Sequence, residues 1–173
     1  IMDGSTRRFD VGRIGSQRFC LMVGVGIDAQ IVHETHAARR GHIQRWQYVA
    51  PIWRAWYHVM RQPLLQISCD DDESPRIGRA IFVMNQPAYA LRFQIAANAD
   101  GRDGRFDLRI VNWTSRWHLL WLAWRGWCGG WENSPQVTVA QASTIRIQAE
   151  QPVAVQIDGD PCGTTPVEIE IEP

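Results

Sequence analysis

The sequence predicts an α+β fold, a mainly antiparallel β-sandwich-like domain with about three helices at its edges. Two observations carry this expectation. Short apolar or alternating segments of strand length, bounded by turn residues, recur along the chain and fill its last quarter, and only three segments show helical spacing. The resulting order of hairpin, two helices, strands, one helix and strands lacks the regular alternation of a doubly wound fold. At 173 residues the chain is long enough for one domain that buries most of its apolar surface, and no repeat or low-complexity segment divides it.

Residues 6–14 alternate loosely, turn at Gly15-Ser16 and return through the apolar run 18–23, which reads as a hairpin. Gly24-Val-Gly26 ends it. Asp28 is placed to cap a helix that runs to Arg40 and stops at Gly41. Over residues 45–61, Trp46, Val49, Ile52, Trp53, Trp56, Tyr57 and Met60 fall at three- and four-residue steps, the spacing of an amphipathic helix. Pro51 either kinks that helix or marks the first turn of its longer part. Residues 64–68 and 77–84 read as strands around the acidic turn 70–75. Residues 106–111 alternate and predict a strand with one wet face. A third helix, 115–126, carries Trp117, Leu120, Trp121 and Trp124 on one side and breaks at Gly126 and Gly129-Gly130. Four short strands, 136–140, 144–148, 153–157 and 167–171, close the chain.

Composition excludes several function classes. The formal net charge is zero, so no global field draws the chain to nucleic acid, and no nucleic-acid partner is expected. All 18 basic residues are arginine, which removes any mechanism in this chain built on a lysine amine, while bidentate phosphate binding by arginine stays open. Cys20, Cys69, Cys128 and Cys162 show no C-x-x-C pairing, so neither a zinc site nor a disulfide framework is suggested and a reducing, cytoplasmic setting is expected. No signal-peptide pattern and no apolar run of membrane-spanning length is present, so a soluble domain is expected. The opening Ile1 to Gly4 reads like the interior of a strand and turn, the expectation for a domain cut from a larger protein.

Five motifs bear on chemistry. Near the C-terminus, Gln156-Ile157-Asp158-Gly159-Asp160-Pro161 places two carboxylates either side of a glycine, a site suited to proton abstraction or metal-assisted phosphate chemistry. Asp-Gly is also the commonest tight hairpin turn, so both readings stand. Gly24-Val-Gly26-Ile-Asp-Ala29 matches a dinucleotide-binding loop, but no second strand with an acidic residue follows about 20 positions on; the plainer reading is close strand–helix packing. His33 and His36 lie one helical turn apart without a third metal ligand, which favours a solvated helix face. Asn98 to Gly104 resembles a calcium loop, yet an EF-hand register would put Arg102 at a ligand position and Arg109 where a bidentate Glu is required. What remains is a tight loop able to hold a cation loosely through Asp103 and neighbouring carbonyls. The tryptophans concentrate in two helices, whose stripes read as core or interface packing or, alternatively, as a membrane-interface surface.

Taken in order, Phe9-Asp10-Val11-Gly12-Arg13, the strand at Phe19-Cys20-Leu21-Met22, Gly26-Ile27-Asp28-Ala29, Asn85 at a strand end, Asp103-Gly104-Arg105-Phe106-Asp107 and the Asp158 turn cover nearly the whole chain. This set resembles the C-terminal domain of the bacterial diacylglycerol kinase and sphingosine kinase-like lipid kinases. The resemblance implies a two-domain enzyme in which an N-terminal domain, carrying a Gly-Gly-Asp-Gly-Thr motif absent from this chain, binds ATP, and a lipid alcohol enters the cleft between the domains. It implies that Asp158 is the general base for the lipid hydroxyl and that Asp160 stands where relatives carry a Glu in the magnesium network, one methylene shorter. It further implies a structural Mg2+ site at Asp100, Asp103 and Arg105, bound by the Asp103 side chain and main-chain oxygens of the other two, with Asp28 and Asn85 in substrate or structural roles. Relatives have a glycine-rich stretch after the Asn and a proline before the metal loop, where this chain has Ala90-Leu91-Arg92 and Ala97. The isolated chain is expected to be inactive, with diacylglycerol or a similar lipid alcohol as substrate of the parent protein, peripheral membrane contact allowed and a homodimer left open. Two other readings remain: a non-catalytic lipid- or membrane-associating module, and an NAD kinase-like domain, since those enzymes share the two-domain plan.

Overall fold

The computed structural model describes residues 8–38, 48–70, 72, 74–87, 95–128 and 130–172. Twelve strands among them form two antiparallel six-stranded sheets. The strands are β1 Val11–Ile14, β2 Gln17–Phe19, β3 Met22–Val25, β4 Leu65–Cys69, β5 Arg76–Gly78, β6 Ala80–Met84, β7 Phe106–Val111, β8 Val137–Ala142, β9 Thr144–Ala149, β10 Ala154–Ile157, β11 Asp160–Thr164 and β12 Val167–Glu172. The first sheet runs β2-β1-β12-β9-β4-β5 and the second β11-β10-β3-β6-β7-β8. In the first sheet β12 lies between β1 and β9, with Val11 opposite Glu172 and Val167 opposite Ile147. The helices are α1 Ile27–Ala37, α2 Val49–His58 and α3 Arg116–Cys128, with a 3-10 turn at Val59–Arg61 and another at Trp131–Asn133. The predicted α+β sandwich is therefore the observed one.

Inward-facing apolar residues of both sheets form the main core, in which Phe19, Val23, Val25, Leu65, Ile67, Phe106, Leu108, Ile145, Ile147 and Ile169 are buried together. The Phe19 and Phe106 rings stack at 5.5 Å between centroids, joining the sheets. A second cluster covers the other face of the second sheet. There Met22, Met84 and Val111 pack with Val59, Trp113, Leu122 and Trp131, while α1 lies on β3, β10 and β11 and is in turn covered by α2.

That double coverage overturns the wet face expected for residues 106–111, because all six residues of β7 are buried. Asp107 and Arg109 occupy the polar positions, and Arg109 donates to Asp107 at 3.4 Å and to Glu132 of the second 3-10 turn at 2.7 Å. Burial of these charges is tolerable because they are paired and hydrogen-bonded. The strand expected over 77–84 is two strands in different sheets, broken at Arg79. The run 18–23 is likewise split at Cys20-Leu21, where the chain leaves the first sheet for the second.

The helix ends also differ from expectation. α1 begins after Gly26 with no side-chain cap, so Asp28 lies in its first turn instead of capping it. α3 passes through the first expected break at Gly126, which is buried and permits close packing there, and ends at Cys128, next to the second at Gly129-Gly130. Pro51 stands in the first turn of α2, where a missing N–H costs nothing; the predicted start at Arg45, Trp46 and the stop at Gly41 lie outside the described residues.

The expectation that the tryptophan stripes face the interior fails for most of them. α2 buries Pro51 and Ala55 and α3 buries Leu122 and Gly126, whereas Trp53, Tyr57, Trp117, Trp121 and Trp124 are exposed. Among the described residues the buried tryptophans are Trp113 and Trp131, both outside the helical stripes.

Between β4 and β5 the acidic turn is pinned by Asp70, whose Oδ1 accepts from the Ser143 amide, the Ser143 hydroxyl and the Thr144 amide at 2.8–2.9 Å. Desolvation pushes its carboxyl up, but those hydrogen bonds outweigh it and hold the group below the ordinary carboxylate range. A lowered native pKa means stability that is complete above the unfolded value and lost as pH falls through the native one. Asp70→Asn is therefore expected to lower the thermal midpoint at neutral pH and to flatten its fall below about pH 4. An unchanged acid limb in a melting series would show that Asp70 does not contribute to it.

Candidate functional site

The chemistry-bearing residues converge on the segment where the chain crosses between the sheets. At Cys20-Leu21 neither ladder supplies regular partners, so other groups must satisfy the backbone. Asp158 accepts on the amide side. Its Oδ2 receives the Cys20 N–H at 2.8 Å, and its Oδ1 receives those of Leu21 and Met22 at 2.9 and 2.8 Å. Asn85 serves the carbonyl side, its Nδ2 donating to the Cys20 oxygen at 2.9 Å and to the Asp10 oxygen at 2.8 Å. Its own N–H donates to the Leu21 oxygen at 2.9 Å.

Asp10 continues the network to the acidic loop. Its N–H donates to the Gly101 oxygen at 2.8 Å and its Oδ2 accepts from the Gly104 amide at 2.9 Å. On the other side, Gly159 N–H donates to Gln156 Oε1, and Gln156 Nε2 donates to Asp28 Oδ2, both at 2.8 Å. Hydrogen bonds thus link Asp28, Asp158, Asn85 and the 100–105 loop, residues spread over 130 positions of the chain.

Asp158-Gly159 is a two-residue hairpin turn between β10 and β11, with positive φ of 48° and 92°. That pair of left-handed residues is the type I′ geometry that Asp-Gly favours. The turn reading of this motif is therefore correct, and the same turn aims the Asp158 carboxylate back at the sheet crossing. Asp160 opens β11 with its side chain 77 % exposed, its Oδ1 lying 3.7 Å from His36 Nε2. The expectation of a solvated His33 and His36 face needs correcting, because α1 lies on β10 and β11. His33 Nε2 is 2.7 Å from the Val155 oxygen.

The glycine loop before α1 is filled by side chains. A Cβ on Gly24 would stand 2.4 Å from Asp28 Oδ2 and 2.7 Å from Gln156 Nε2, and one on Gly26 would stand 2.8 Å from the Arg79 oxygen. These glycines serve close packing of strand, helix and the Gln156–Asp28 pair.

In the acidic loop, Asp100 is engaged by Arg102, whose Nε and Nη2 donate at 2.9 and 3.3 Å. That hydrogen bonding holds the Asp100 carboxyl below its usual value. Asp103 Oδ1 accepts from the Arg105 amide at 3.0 Å. Beside the loop, Phe9, Gln86, Pro87, Ala97 and Arg102 line a shallow pocket of about 360 Å³. The substituted stretch Ala90-Leu91-Arg92 lies outside the described residues.

A family model described as the YegS C-terminal NAD kinase beta sandwich-like domain matches residues 21–173. The chain belongs to this family. The kinship read from the ordered motifs is thereby borne out. A curated relative, diacylglycerol kinase 2 of Arabidopsis thaliana, is 26 % identical over 182 residues, covering 93 % of this chain and 24 % of the relative. Among solved structures, a diacylglycerol kinase from Bacillus anthracis superposes with a TM-score of 0.61 at 18 % identity, over 95 % of this chain and 50 % of that one. A candidate diacylglycerol kinase from the same organism gives 0.66 at 17 %, over 96 % and 53 %. The chain thus spans about half of these structures and about a quarter of the plant relative, and at such identities the structures share the fold.

Within this YegS-type domain, the fit of a magnesium ion can be tested on the donor set. Among the described residues no three His, Cys, Asp or Glu side chains gather as a cation cage. Asp103 keeps one carboxylate oxygen outside its turn bond, whereas the Asp100 carbonyl accepts the Arg102 and Asp103 amides at 2.7 and 3.3 Å. Such a set fits a largely hydrated Mg2+ held by one carboxylate, the mode this ion tolerates, and does not fit an enclosed one. Asp10 and Gln156 are site residues that the sequence reading assigned no role. Gln156 had a signal, being the polar residue in the apolar strand β10. Asp10 had only its place in the ordered motifs, because the loop it bonds begins 90 positions away.

Proposed function

We propose that this YegS-type domain is the lipid-facing, base-supplying half of a two-domain kinase that transfers the γ-phosphoryl group of ATP to diacylglycerol or a similar lipid alcohol. The observation that supports this most is the hydrogen-bonded network joining the Asp158 turn, the sheet crossing and the acidic loop, since phosphoryl transfer depends chiefly on positioning and charge neutralisation. In this reading a nucleotide-binding domain supplies the phosphoryl donor, and Mg2+ at the Asp103 loop would supply positive charge that steadies the assembly. Asp158 accepts the proton of the attacking hydroxyl. Three of its roughly four lone-pair sites are taken by main-chain amides, so the carboxylate is fixed in place with one site left to act. Asp160, exposed and 3.7 Å from His36, is the carboxylate free to turn and would help hold a Mg2+ ion that neutralises phosphate charge.

The test is a transfer assay on the full-length gene product, with γ-labelled ATP, Mg2+ and either diacylglycerol in mixed micelles or nicotinamide adenine dinucleotide as acceptor. Label in the lipid phase is the expected result. Label in nicotinamide dinucleotide and none in any lipid alcohol would replace this reading with the NAD kinase-like one.

A further inference from the structure

We propose that the outward faces of α2 and α3 form one surface that docks the domain on an anionic bilayer. Trp53, Tyr57, Trp117, Trp121, Trp124 and Trp127 are between 39 % and 71 % exposed. Helices of a globular domain ordinarily turn their large apolar side chains inward and leave small or polar ones outside. Here the order is inverted, with Pro51, Ala55 and Gly126 among the few buried positions.

The two faces are continuous. Trp53 meets Trp56 edge-on at 5.5 Å, Trp56 meets Trp117 at 5.7 Å, and the Arg116 guanidinium lies 5.5 and 5.8 Å from the Trp56 and Tyr57 rings. An exposed apolar surface of this extent marks an interaction site. Its composition selects the occupant, because indole rings favour the boundary between water and hydrocarbon and arginines beside them favour anionic headgroups.

Charge is one-signed across the surface. No Asp or Glu occurs at positions 45–69 or 108–131, while Arg54, Arg61, Arg116 and Arg125 do. Two carboxylates of neighbouring elements are paired, Glu34 of α1 with Arg54 and Glu132 with Arg109. Among the described residues Arg61, Arg116 and Arg125 form no ion pair with a carboxylate. No helix among the described residues is long and apolar enough to cross a membrane, so docking means lying on the surface.

The chain should co-sediment with phosphatidylcholine vesicles containing about a third phosphatidylserine, with a blue shift of tryptophan emission, and much less with phosphatidylcholine alone. Trp117→Ser with Trp124→Ser should weaken that binding at least about tenfold, and Arg61→Glu with Arg116→Glu should remove its salt dependence. These side chains are outside the core, so the thermal midpoint should stay within about 2 °C of the parent. Absence of binding to the anionic vesicles overturns the proposal, as does unchanged binding by the tryptophan variant. A dimer in sedimentation equilibrium that the same variant dissociates, without vesicle binding, would assign the face to a second copy. The readout contains no ATP, so it stands or falls separately from the kinase reading.

Discussion

Asn85→Asp is expected to cost about 3–5 kcal/mol of stability at neutral pH, a loss of roughly 6–20 °C in thermal midpoint for a domain of this size. The change is nearly isosteric, so packing does not enter. Asn85 is only 1 % exposed and its Nδ2 donates to the carbonyl oxygens of both Asp10 and Cys20. A carboxylate there turns an oxygen toward two others in a buried site, while the protonated form offers one O–H for two acceptors. The introduced carboxyl would therefore titrate above its ordinary range, and the deficit should shrink as the pH is lowered toward 4. Thermal melts of both proteins from pH 4 to 8 measure this directly. A deficit under about 1 kcal/mol, or one independent of pH, would mean that Asn85 is not the junction of the network.

Asp158→Asn is expected to lower phosphoryl transfer by the full-length protein about a hundred- to ten-thousand-fold, the usual contribution of a placed general base. The same change cannot leave the fold untouched, because an amide can keep the Leu21 and Met22 N–H donors only by turning its own NH2 group toward the Cys20 N–H. One orphaned donor costs about 1–3 kcal/mol, less where water reaches it. Turnover must therefore be normalised to folded protein, below the variant's melting range. Asp160→Asn provides the comparison for the fold, since that side chain is exposed and its ion-pair partner His36 lies 3.7 Å away. Full activity per folded molecule in the Asp158 variant, with loss in the Asp160 variant, would make Asp158 a positioning residue and move the proton to Asp160.

The strands were legible wherever β-branched runs met turn residues, as in Thr144–Ala149 and Val167–Glu172. β11 was not, because Asp160-Pro-Cys-Gly-Thr164 has no apolar alternation and is held by its partner β10 alone in the sheet. The break at Cys20-Leu21 was invisible for the opposite reason: the apolar run continues across it, and residues far along the chain, Asp158 and Asn85, close the backbone. Periodicity found α2 and α3 but misjudged their faces. It reports that one side of a helix is apolar without saying what covers it. In the site, Asp158, Asp160, Asn85 and the 100–105 loop were found by motif order, whereas Asp10 and Gln156 act through bonds that no spacing rule encodes.

The pairing of β1 with β12 sets a schedule for synthesis. Residue 11 leaves the ribosome well before its neighbour in the sheet, residue 172. At about 5–20 residues per second, the first hairpin waits on the order of 10–30 s for the strand that joins it to β9. Until then β1 and β9 are both open edges, and sheet closure must await the synthesis of β12.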